Sequence, residues 1–98
     1  MQVQYHRAVM GSFPGGSAWA MARDVGDGYV LVNERTFARM SSSDMDKIGF
    51  ELERRLREIR GSQPDQSDGS ALLLRNRRLQ RVAHAKAVLD GYRAKRKV

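Results

Sequence analysis

One apolar stripe in the second half constrains this chain more than any other feature. Met45, Ile48, Leu52, Leu56 and Ile59 recur at steps of three and four. At about 100° per residue they fall on one narrow face, which an amphipathic helix turns toward a core. Ser43 is placed to cap its start, and Asp44 and Asp46 fill the first turn, where the helix dipole favours carboxylates. Glu51–Arg55 and Glu53–Arg57 are i,i+4 pairs in the favourable order. Gly61 suits the position just past a helix end. The spacing predicts a helix over 43–60.

Residues 61–69 (GSQPDQSDG) are a polar, turn-rich connector. Ser70 can cap a second helix, expected over 70–96, with Gly91 loosening it and a frayed tail behind. Its apolar residues form two faces. Leu74, Ala85, Val88, Leu89 and Tyr92 lie on one, and Leu72, Leu79 and Ala83 on another. A helix with two apolar faces expects two neighbours, one of which can be a second subunit.

The first half reads as strands. Val3, Tyr5 and Val9 alternate with Gln2, Gln4 and His6, the period of a half-buried strand. Ala18 to Val25 splits into a Trp19/Met21/Arg23 face and a small alanine face. Gly26-Asp27-Gly28 carries a hairpin signal, and Tyr29-Val30-Leu31-Val32 is β-branched and aromatic. Strands are expected near 2–10, 17–25 and 28–34. The fold class so read is α+β: a three-stranded antiparallel β-meander followed by two α-helices. One domain spans 1–98, with the sheet half at 1–40, because 98 residues suffice for a single core.

Charge separates the two halves. Residues 1–50 hold five Arg or Lys against five Asp or Glu, whereas residues 51–98 hold thirteen against six. The formal net charge of +7 therefore lies wholly in the second half. Between 70 and 97 only Asp90 opposes nine cations. A basic helix of this kind suits polyanions, since phosphate contacts release counterions. The expected function is a small basic binding protein that contacts nucleic-acid phosphates through Arg75, Arg77, Arg78, Arg81, Lys86, Arg93 and Lys95. The alternative is a protein–protein interaction module with no nucleic-acid role, either a homodimer or an adaptor for an acidic partner. Its interface residues would be Phe50, which lies off the helical stripe, with Leu72, Leu79 and Ala83.

Catalytic chemistry finds little support. The absence of cysteine excludes disulfides, thiolate metal sites and a cysteine nucleophile. His6 and His84 have no partner at metal-ligand spacing, and neither G-x-S-x-G nor G-x-x-x-x-G-K occurs. Trp19 and Tyr29 are expected in the core rather than in base stacking. No enzyme, metal or cofactor is expected. The longest apolar run, Ala18 to Ala22, is five residues, far short of a membrane span. The first residues lack a signal-peptide pattern, so a cytoplasmic location without membrane contact is expected.

Overall fold

A computed structural model describes residues 13–96 of the chain. Helix α1 covers Ala18–Asp27. Ser17 caps it: the Ala20 N–H donates to Ser17 Oγ at 3.0 Å. Ala18, Ala20 and Ala22 follow, and alanine is the strongest helix former. Met21, Ala22 and Val25 are buried, the i, i+1, i+4 set of one helical face. Gly28 ends the helix in the left-handed region at φ 87°. Tyr29 N–H then bonds Asp24 O at 2.9 Å. The Gly26-Asp27-Gly28 run is therefore a helix C-cap and not a hairpin turn.

Tyr29 to Val32 belongs to neither helix nor strand. Val30 and Val32 pack on the core, while Tyr29 and Leu31 point outward. The strand expected here from β-branched and aromatic content does not form, since no neighbouring strand pairs with it among the described residues. Asn33 then caps a short helix α2, Glu34–Ala38. Its side chain accepts from Arg35 N–H at 2.9 Å and from Thr36 N–H at 3.3 Å. Thr36 Oγ1 accepts from Asn33 N–H in return, closing a capping box. This helix buries Phe37 completely.

These elements overturn the α+β reading. The described residues are helical with no strand, so there is no β-meander. The expected strand at 17–25 is the Ser17 cap and α1, and the one at 28–34 is an irregular, unpaired segment running from the Gly28 cap into the first residue of α2. The expected strand at 2–10 lies outside the described residues.

The two expected helices do form. α3 spans Ser42–Gly61 and buries Met45, Ile48, Leu52, Leu56 and Ile59. Its cap is Ser41, which accepts from Asp44 N–H at 3.0 Å, two residues before Ser43. α4 spans Gly69–Arg96, so Gly91 does not end it. Asp68 takes the capping role expected of Ser70, accepting from Ala71 N–H at 3.0 Å. In the connector, Asp65 accepts from the Ser67 N–H and hydroxyl. Those bonds hold its carboxyl below the ordinary aspartate value.

α3 and α4 run antiparallel. Asp46 meets Arg93, Glu53 meets Lys86, and Ser62 meets Arg75, so contacts descend one helix as they climb the other. α1 lies against both. Gly26 lets it approach α4 closely, since a Cβ there would sit 3.2 Å from Val82 Cγ2. The core is one cluster joining Met21 and Val25 of α1, Ile48, Leu52 and Leu56 of α3, and Val82, Ala85 and Leu89 of α4. Full burial of each large aliphatic side chain stabilises by about 2 kcal/mol. The result is a three-helix arrangement with Phe37 of α2 closing the core near the end of α4.

Candidate interaction surface

The basic residues of α4 reach the rest of the fold in order along its length. Arg75 comes first. Its Nε donates to the carbonyls of Ile59 (3.2 Å) and Ser62 (2.9 Å), and its Nη2 to that of Arg60 (3.2 Å). These carbonyls stand at the end of α3, where the dipole favours a cation, and that of Ile59 also accepts from the Ser62 N–H at 3.1 Å. Arg78 pairs with Asp27 at 3.2 Å, at the last residue of α1. Arg81 Nη1 donates to Gly26 O at 3.2 Å, and its guanidinium lies against Gly28. Positions 75, 78 and 81 thus serve two helix C-termini from one face of α4.

Further along, Lys86 lies between Asp90 (2.9 Å) and Glu53 of α3 (3.5 Å). The bond to Asp90 raises the Lys86 amine above its ordinary value, partly opposed by burial. Arg93 reaches Asp46 at 2.7 Å, and Lys95 reaches Glu34 at 2.6 Å. Of the seven cations singled out in the sequence, Arg77 alone is exposed with no partner among the described residues. Their partners Asp27, Glu34 and Asp46 lie 47 to 61 residues away in the chain. The exposed pairs are individually weak, worth under about 1 kcal/mol. Direction matters more than strength here, because Arg75, Arg78 and Arg81 reach back to α1 and to the end of α3, although Arg78 keeps 37% of its side chain exposed.

The outward face of α4 is correspondingly uncharged. Leu73, Asn76, Gln80, Ala83, Ala87, Gly91 and Ala94 are all exposed and recur at steps of three and four. Arg77, His84 and Asp90 stand at its margins. Solvated helix faces normally carry charge, and this one does not, although Val82, Ala85 and Leu89 are buried on the core side in the ordinary way.

The expected interface residues divide. Ala83 lies on the uncharged face. Leu72 and Leu79 are half-buried, and Leu79 packs against the core. Phe50 is 60% exposed on α3, beside a shallow depression shared with Ala18 and Lys47. Trp19, expected in the core, is half-exposed and lies under the Arg23 guanidinium, 4.9 Å from its ring centroid. Tyr29 is likewise exposed. His84 is exposed, and the described residues contain no cluster of metal-ligating side chains. His6 lies outside the described residues. No helix among them is long and apolar enough to cross a membrane. Comparison with family models, curated proteins and solved structures finds no match.

Proposed function

We propose that this protein is a helical protein–protein interaction module that pairs with a second copy of itself through the outward face of α4. The observation that carries this is the charge distribution of α4: most of its cations pair with groups on the fold's own side, and the outward face is uncharged. The face is also self-complementary in size. A two-fold axis between Ala83 and His84 sets Leu73 opposite Ala94, Asn76 opposite Gly91, and Gln80 opposite Ala87. Each larger residue of the N-terminal half meets a small one of the C-terminal half, the arrangement that lets two helices pack closely. Such an interface is isologous and closes as a dimer.

The nucleic-acid reading loses its main support, because six of its seven cations already serve the fold of their own chain. Sedimentation over a wide concentration range tests the proposal. A dimer is expected for the native chain and a monomer of unchanged helicity for Ala87→Arg, which puts a charge at the centre of the face. A native chain that stays monomeric at high concentration would end this reading. Duplex binding that weakens steeply with salt would restore the nucleic-acid alternative.

A further inference from the structure

The far end of the α3–α4 pair holds a cleft that neither the core nor the outward face of α4 uses. It encloses about 270 Å³ and is lined by Arg55, Glu58 and Ile59 of α3, Ser62 and Pro64 of the connector, and Ala71, Leu74, Arg75 and Arg78 of α4. This lies just below the usual range of ligand pockets, about 300–1,000 Å³. The lining has two characters. Ile59, Pro64, Ala71 and Leu74 give it an apolar wall. Three guanidinium groups face one carboxylate, that of Glu58, so the lining carries a surplus of two positive charges.

The hydrogen bonds leave donors to spare. A guanidinium carries five N–H groups. Arg78 engages its Nε with Asp27, and neither of its terminal nitrogens donates among the described residues. Arg55 donates from Nη1 to Glu58 at 3.3 Å and its Nη2 donates to nothing among the described residues, while its unpartnered Nε is buried on the side of Gly26 of α1. Arg75 is anchored through Nε and Nη2, which fixes its plane and leaves Nη1 unused. Arg forks match a carboxylate in charge and geometry.

We infer that this cleft binds a small organic carboxylate with a compact apolar body. The carboxylate accepts from Arg78 and Arg55, and the body lies on Leu74, Ile59 and Pro64. The inference is independent of the pairing proposed for α4, whose outward face is on the opposite side of that helix.

The test is a titration of the full chain, followed through the methyl NMR signals of Ile59 and Leu74, with phenylacetate and 4-methylpentanoate as probes. Both should shift these signals saturably. Phenylacetamide, equal in shape but neutral, should bind at least about tenfold more weakly. Inorganic phosphate at the same concentration should not match them, because it lacks the apolar body. Leu74→Glu sets a carboxylate on the half-exposed wall and should weaken phenylacetate about tenfold or more with the melting temperature unchanged. Equal shifts from acid and amide would overturn the inference. So would phosphate matching phenylacetate, or no saturable shift from either carboxylate. Should Leu74→Glu fail to fold, the acid–amide contrast on the native chain still decides.

Discussion

Replacing Arg75 with methionine removes a guanidinium and keeps most of the aliphatic stem. In the structure that group donates to three carbonyls, those of Ile59, Arg60 and Ser62, at 2.9 to 3.2 Å. A hydrogen bond from a charged donor contributes about 1.5–3 kcal/mol when both groups are desolvated. Here the carbonyls of Arg60 and Ser62 lie on exposed residues and regain water when Arg75 is cut back. The net loss is therefore nearer one well-made charged bond than three, about 2 kcal/mol. For a domain of this size each kcal/mol moves the melting temperature by about 4–8 °C, so a drop of about 10 °C is expected by calorimetry. Arg77→Met is the matched control, being two residues away in the same helix, on a different face, and exposed. It should change stability by less than about 0.5 kcal/mol. Arg75→Lys keeps the charge but not the fork and should fall between. Equal melting temperatures for the Met variants at 75 and 77 would refute the reading of Arg75 as a structural clamp.

Phe37→Ala should cost about 3–5 kcal/mol by chemical denaturation, because α2 is tied to the core mainly through that buried ring. Gly28→Ala should cost about 1 kcal/mol in the same assay, since position 28 sits at φ 87° and a Cβ there would lie 3.0 Å from the Arg81 guanidinium carbon. Lys86 has a folded value above the ordinary lysine value of 10.5, so its contribution is complete below that pH and is lost as pH climbs through the raised value. The native chain should therefore lose stability above pH 10.5 relative to Lys86→Met, and parallel pH curves for the two would exclude this linkage.

Some of this was legible from the residues. The Met45–Ile59 stripe is periodic over four turns and has one interpretation, so α3 and its buried face followed directly. The long basic helix also followed, though its cap was misplaced by two residues. α1 was misread because an alanine-rich ten-residue helix with a single tryptophan splits as neatly into two alternating faces as into one helical face. Its helical signals were Ser17 and the alanines, and Asp27-Gly28 was a stop signal that reads equally as a hairpin. Tyr29–Val32 reads as a strand from its β-branched and aromatic residues alone, and among the described residues no partner strand stands beside it. The orientation of α4 was least legible. A charge count along the sequence says how many cations there are and not where they point. The partners of Arg78 and Lys95, Asp27 and Glu34, lie in segments the local pattern reads as a turn and a strand, and that of Arg93, Asp46, lies on the other helix, which no local pattern pairs with it.

Exchange of the arginine Nε–H protons, resolved residue by residue by NMR at neutral pH, tests the inward turn of α4 most directly. The Nε–H of Arg75 and of Arg78 are each held by an acceptor in the fold and should exchange slowly, whereas that of Arg77 should exchange as in an unstructured peptide. All three exchanging at the peptide rate would mean that the cations of α4 face water, and the account built on their inward direction would be wrong.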